Sequence, residues 1–253
     1  MIDFQFVKFS VEDGIGHLQL NRPEKKNAIH DSLIDEIDYV LNHIPEEVRV
    51  IVLSGNGTEF CAGLDLSELK ARNAFQVVKH SNNWHRIFAN FQAQGVPMVA
   101  AMHGAVIGGG MEIAACAHVR VADETTYYSL PEGRHGIFTG GGASVNVRAI
   151  IGASRMTEMM LTGRKLTAHE GENYGMSHYV VPKGESLNKA FELAKTIATN
   201  SPYSNWAMTT GITRIDNMSA EEGLYTESLI CGITQTSPEV QARLDHFLNR
   251  KKK

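Results

Sequence analysis

In the segment His103-Gly-Ala-Val-Ile-Gly-Gly-Gly-Met-Glu112, three successive glycines join a strand pattern to a helix pattern. The apolar run Met98 to Met102 precedes it, and Met111-Glu-Ile-Ala-Ala-Cys116 begins the helix. Glycines at such a junction let the backbone come very close to a ligand or another chain segment. The first N–H groups of a helix have no partner inside it, so a phosphate or an oxyanion is attracted there. A tight turn needed only for packing uses the same residues. The phosphate loops with known spacing do not match. A P-loop continues Gly-Lys-Ser/Thr, where this chain has Met111 and Glu112. Gly104, Gly108, Gly109 and Gly110 do not have the dinucleotide spacing. There is also no GxSxG, no HExxH and no His/Cys/carboxylate set with metal-ligand spacing. Acid–base and oxyanion chemistry remain.

On either side of this segment, strand and helix patterns alternate. Phe4 to Phe9 and Ile15 to Leu20 are β-rich around Asp13-Gly14, which predicts a hairpin. Asn27 to Ile44 carries Leu33, Ile34, Ile37, Val40 and Leu41 at helical spacing, and Val48 to Leu53 reads as a buried strand. A long helix is predicted over Ala71 to Phe91, and strands over Met98 to Met102, His118 to Ala122 and Thr126 to Ser129. Beyond Asn188 only helical periods remain, over Ala190 to Ala198, Glu221 to Ile230 and Val240 to Leu248. This alternation predicts an α/β fold with a helical C-terminal section.

With 253 residues, 43% hydrophobic and 21% charged, the chain has ordinary globular composition. Its net charge of −4 offers no broad basic surface for nucleic acid or an anionic membrane. The three cysteines, Cys61, Cys116 and Cys231, are too scattered for a disulfide framework, so a cytoplasmic setting is expected. The N-terminal residues lack signal-peptide character, and no apolar run reaches membrane-spanning length.

Two carboxylates stand in unusual company. Glu112 sits just inside an apolar helix, where a buried charge is costly unless it has partners or a task; the helix dipole alone can also satisfy a first-turn glutamate. Glu132 follows Pro131 in the glycine-rich stretch Leu130 to Ser144, where a solvated loop residue is the plain alternative. Trp84 and Phe88, four apart on the long helix, either close over a ligand or pack the core.

Seven motifs in order resemble the crotonase superfamily of enoyl-CoA hydratases and isomerases across nearly the whole chain. They are Leu20-Asn-Arg-Pro, Phe60-Cys-Ala-Gly-Leu-Asp, Gly108-Gly-Gly-Met-Glu with Leu130-Pro-Glu, Gly140-Gly-Gly, Leu161-Thr-Gly-Arg and Phe247-Leu-Asn-Arg. The resemblance implies a spiral of repeated strand–strand–helix units over residues 1–195 that carries an acyl-CoA site. It further implies a helical section over 196–253 that builds homotrimers or dimers of trimers. Coenzyme A enters as part of the substrate, with no metal, no permanently bound cofactor and no nucleic-acid or membrane partner.

The implied chemistry is hydration of a trans-2-enoyl-CoA in fatty acid metabolism. The backbone N–H groups of Leu64 and Gly109 form the oxyanion hole, Glu112 activates water and Glu132 supplies the α proton. A double-bond isomerase that relies on Glu132 alone is the alternative, and a non-catalytic acyl-CoA-binding oligomer is another. CoA contacts are implied for Ala62, Leu66, Phe247 and Arg250, and for Lys25 or Lys26, because Glu24 replaces the usual lysine of the family. Trp84, Phe88, His135 and Phe138 are candidates for the acyl pocket. His135 departs from the family pattern after Glu132 and is equally readable as a structural histidine.

Overall fold

The computed structural model describes residues 4–69 and 72–250, except for the side chains of residues 68, 69 and 250. The strands are β1 (Val7–Glu12), β2 (Ile15–Leu20), β3 (Val50–Gly55), β4 (Met98–Met102), β5 (Ala105–Ile107), β6 (Val119–Asp123), β7 (Tyr127–Ser129), β8 (Lys165–Thr167) and β9 (Tyr179–Val181). The helices are α1 (Asp31–Asn42), α2 (Ala74–Ala93), α3 (Gly109–Cys116), α4 (Asn146–Ile151), α5 (Ala153–Thr162) and α6 (Ala168–Asn173). They continue with α7 (Ser186–Ala198), α8 (Pro202–Trp206), α9 (Ile212–Ile215), α10 (Ala220–Gln235) and α11 (Pro238–Arg250). One six-stranded sheet has the order β1-β2-β3-β4-β6-β9, and a three-stranded sheet has the order β5-β7-β8.

The β1–β2 pair is antiparallel, in register from Val7 opposite Leu20 to Glu12 opposite Ile15. Its turn, Asp13 at φ +50° and Gly14 at φ +75°, has the left-handed pair that matches strand twist. From β2 onward the large sheet is parallel. Its centre is therefore covered on both faces, which explains the uninterrupted apolar run of β3. Ile51 and Leu53 join a large core with Leu33, Ile37 and Leu41 of α1 and Ile87 and Phe91 of α2. Val50 and Val52 point the other way, into a smaller cluster with Ala190 and Ala194 of α7.

The helix expected from Asn27 begins only at Asp31. The reason lies in tertiary bonding: the Asn27 side chain donates to the carbonyls of Asn56 and Glu59, both at 2.8 Å, and the residue sits at φ +54°. The chain therefore turns through Pro23–Lys25 before α1 starts. The long helix starts at Ala74, where Asn73 and Gln76 form a reciprocal capping box. The short elements β5, β8, β9, α4 and α6 carry too few residues to show a period, and sequence patterning does not reveal them. Strands end with β9, and among the described residues no helix is long and apolar enough to cross a membrane.

Gly55 ends β3 where the chain folds back on itself. A Cβ there would lie 2.5 Å from the Phe60 carbonyl oxygen and 2.8 Å from that of Glu59, both backbone atoms that cannot swing aside. Gly55→Ala is expected to lower unfolding stability by about 1–3 kcal/mol in urea denaturation, as overpacked sites do.

Candidate active site

The site begins with a short parallel pairing outside the main sheets. Cys61 pairs with Val106: its N–H donates to the Ala105 carbonyl at 2.9 Å, and its carbonyl accepts from Ile107 N–H at 3.1 Å. Gly63 follows at φ +93°, and a Cβ on it would stand 2.8 Å from the Ile107 carbonyl oxygen. The same Cβ position is 3.6 Å from the Gly109 nitrogen, while the Cβ position of Gly109 is 3.6 Å from the Leu64 nitrogen. The two amides are thus brought side by side. Ile29 takes up the bonding on either side of Leu64, donating to Gly63 O and accepting from Asp65 N–H, each at 2.8 Å. Among the described residues, neither the Leu64 nor the Gly109 N–H has an acceptor. Gly108, at φ +47°, makes the turn that aims the start of α3.

The segment after Leu64 is anchored by charge. Arg22 Nη1 lies 2.7 Å from Asp65 Oδ2. The Arg22 hydrogen bond, followed by those from Ser67, holds the Asp65 carboxyl down at about 2. Ser81 of α2 donates to the Gly140 carbonyl at 2.6 Å and ties α2 to the loop after Glu132.

Both glutamates are buried, Glu112 at 4% exposure and Glu132 at 7%. Glu112 projects from the first turn of α3, and its Oε1 accepts from Gly141 N–H at 2.9 Å and Ala143 N–H at 3.0 Å. Burial pushes its carboxyl up, and these two amides oppose that shift by favouring the ionised form. Gly141 has to be glycine, since a Cβ would collide with Glu112 Oε2. Glu132 opens a 3-10 turn, Glu132–His135, and its Oε2 is buried with no partner among the described residues. Burial first, then repulsion from Glu112, pushes its carboxyl up to about 7. Two acids in one place therefore differ in environment: one is held by amides and the other is left proton-hungry.

Both glutamates, Leu64 and Gly109 line a single cavity of about 630 Å³. Trp84 and Phe138 line it as well. Phe88 does not: it is buried at 2% exposure and packs edge-on against Phe91 in the core. One helical turn separates the two fates, because Trp84 lies at the rim of the core and Phe88 beneath it. His135 also stays out of the cavity and is exposed. Gly136 at φ +66° reverses the chain after it and returns Ile137 and Phe138 to the cavity wall.

Of the residues implied for CoA, Ala62 donates its N–H to the Lys26 carbonyl at 3.0 Å, which joins the Pro23–Lys25 turn to the Gly63 segment. Lys25 and Lys26 are exposed, with Lys26 Nζ 3.8 Å from Glu59 Oε1, and Leu66 is 49% exposed. Phe247 is exposed on α11, and the Arg250 side chain lies outside the described residues. Sequence reasoning missed Arg72, Val77, His80 and Ser81, all of which line the cavity. A signal was present, since 77, 80, 81 and 84 share one face of a helix.

This arrangement suits a ligand whose carbonyl oxygen gains negative charge beside two carboxyl groups. The family model described as enoyl-CoA hydratase/isomerase matches residues 10–253. A Rhodopseudomonas palustris protein assigned by name to the enoyl-CoA hydratases superposes with a TM-score of 0.96 at 42% identity, covering 99% of this chain and 97% of that one. The short-chain-enoyl-CoA hydratase of Clostridium acetobutylicum is 28% identical over 244 residues, which is 95% of this chain and 94% of the relative. Bacillus subtilis YngF, named as an enoyl-CoA hydratase/isomerase, is 32% identical over 188 residues, 73% and 72% of the two chains. The chain belongs to the enoyl-CoA hydratase/isomerase family, within the crotonase superfamily, and has its fold.

The raised Glu132 carboxyl has a cost in stability. Its value moves from 4.5 to about 7 on folding, so the folded state binds the proton more tightly. The resulting penalty grows as pH rises from 4.5 and levels off above about 7. Glu132→Gln is expected to raise the thermal unfolding midpoint at pH 8, with the gain shrinking as pH falls toward 4.5. Calorimetric scans across that range check the sign.

Proposed function

We propose that this protein reversibly adds water across the double bond of a trans-2-enoyl-CoA thioester. The observation that carries the reading is the pair Glu112 and Glu132 in one cavity, beside two unengaged main-chain N–H groups. The thioester oxygen accepts from Leu64 and Gly109. As the water oxygen bonds to Cβ, the double-bond electrons shift toward the thioester oxygen, and fixed amide donors stabilise the charge without reorganising. Losing one such donor costs typically about 2.7–4 kcal/mol in other enzymes.

The two environments support a division of labour. Glu112, steadied by Gly141 and Ala143, takes the proton from water. Glu132, protonated up to about pH 7, delivers its proton to Cα, and proton exchange between the carboxyls and solvent restores the starting state. An isomerase needs one carboxyl to remove and return a proton, and Glu132 alone would serve it.

For the rest of the substrate, Ala62, Leu66 and the Lys25–Lys26 turn hold coenzyme A, with Phe247 and Arg250 contributing from the C-terminal helix. The hydrogen bond joining Lys26 to Ala62 supports a single continuous CoA surface. Exposed Leu224, Leu229, Ile233, Phe247 and Leu248 on α10 and α11 support association of the 196–253 section into trimers or paired trimers. Three unpaired cysteine thiols fit a reducing cytoplasm.

Loss of absorbance of the conjugated enoyl thioester measures the reaction. Glu112→Gln and Glu132→Gln are each expected to lower kcat by about 10²–10⁴, the usual weight of general acid–base catalysis. Should Glu112→Gln keep most of the activity while Glu132→Gln loses it, the enzyme is an isomerase. Tight acyl-CoA binding with no turnover of any enoyl substrate would instead mark a non-catalytic oligomer.

The pH profile follows from the proton on Glu132. Hydration kcat/KM should decline as pH rises through about 7, where that donor is lost. Hydration has no net proton change and the pair needs one shared proton in either direction, so kcat/KM for the reverse dehydration should decline over the same range.

A further inference from the structure

Beyond the thioester end, one wall of the cavity is polar in a specific way. Helix α2 presents Val77, His80, Ser81 and Trp84 to it. Trp84 marks the thioester end, with its Cζ3 atom 3.7 Å from the Cβ position of Gly109. His80 lies one helical turn earlier, about 5.4 Å along the axis, and its ring centroid is 5.1 Å from that of Trp84. It therefore lines the cavity one turn away from the thioester end.

The imidazole of His80 is fixed. Its Nε2 is 2.6 Å from Asp31 Oδ1, and the other Asp31 oxygen is 2.7 Å from Arg72 Nη2. A carboxylate only accepts, so Nε2 carries the hydrogen and, in the neutral ring, Nδ1 carries the lone pair. No described residue hydrogen-bonds Nδ1, and the side chain keeps 20% of its surface accessible. Asp31 thus bonds both His80 and Arg72, one with each carboxylate oxygen.

We infer that His80, oriented by Asp31, recognises a hydroxyl group on the acyl portion of the substrate. The inference rests on the acyl-CoA reading above and names its substrate class. With the hydrogen on Nε2, the Nδ1 lone pair matches an O–H donor. A carboxylate has no hydrogen to offer it and meets a guanidinium already paired with Asp31. A plain alkyl chain would strip water from Nδ1 and give nothing back, and sites with an unpaired polar group reject such analogues.

The test measures binding, so it does not depend on turnover. Isothermal titration of the full chain would compare hexanoyl-, octanoyl- and 3-phenylpropanoyl-CoA with their terminally or para-hydroxylated and terminally or para-carboxylated counterparts. At least one hydroxylated thioester should bind about tenfold more tightly than its parent, the worth of one well-placed hydrogen bond. His80→Leu should erase that ratio, and His80→Gln, whose amide oxygen can still accept, should keep part of it. The inference falls if no hydroxyl improves binding, if the improvement survives His80→Leu, or if the carboxylated member is preferred. Failure of every thioester to bind would instead overturn the acyl-CoA reading, and this inference with it.

Discussion

Everything in the site depends on how closely the Cys61–Leu64 segment approaches the start of α3. The Cys61–Val106 bridge sets that approach, and it works only because Gly63, Gly109 and Gly110 bring no Cβ between the chains. At Gly110 a Cβ would lie 2.5 Å from the Cys61 carbonyl oxygen. The outcome is a pair of main-chain donors whose positions are fixed by the backbone of two separate segments, not by flexible side chains. Donors held in this way do not have to reorganise when charge develops, which is the physical source of oxyanion stabilisation. Glycine's conformational freedom costs stability elsewhere in proteins, but here it permits a contact that no other residue allows.

Around that constraint, burial is used unevenly. Glu112 receives two backbone amides from the Gly141–Ala143 loop, and Ser81 of α2 tethers the same loop. Glu132 is given no partner for Oε2 among the described residues. Burying an unpartnered carboxyl is destabilising, and a fold selected for stability alone would not keep one. The two acids sit in different surroundings, and the polar lining continues along the cavity through His80 of α2 and Arg72, both held by Asp31 of α1.

Much of the fold was legible because its central elements have strong periods. The hairpin at Asp13-Gly14, the buried strand β3 and the helices α1 and α2 follow from patterning, and the ordered motifs pointed to the superfamily. The misreadings have identifiable causes. Asn27 looked helical, yet its side chain is taken up by the Asn56 and Glu59 carbonyls, partners about 30 residues away in sequence. Trp84 and Phe88 shared one sequence argument and separated in the structure: both are buried, but one turn of the helix reaches the cavity wall and the next packs beneath it. His135 attracted attention by its residue type, and the left-handed turn at Gly136 leaves it outside. His80 carried no such flag, since its partner Asp31 lies 49 residues away, beyond any local pattern.

The sequence by itself determined the class of fold, the presence of a glycine-lined strand–helix junction and the residue types available for acid–base work. Those properties are local, set by side-chain period, backbone freedom and neighbouring residues. Only the tertiary structure decided that Leu64 and Gly109 lie side by side, that Glu112 is braced while Glu132 is not, and which aromatic residues face the cavity. Such properties depend on distances between segments far apart in the chain and on water being excluded between them, and no local pattern encodes either.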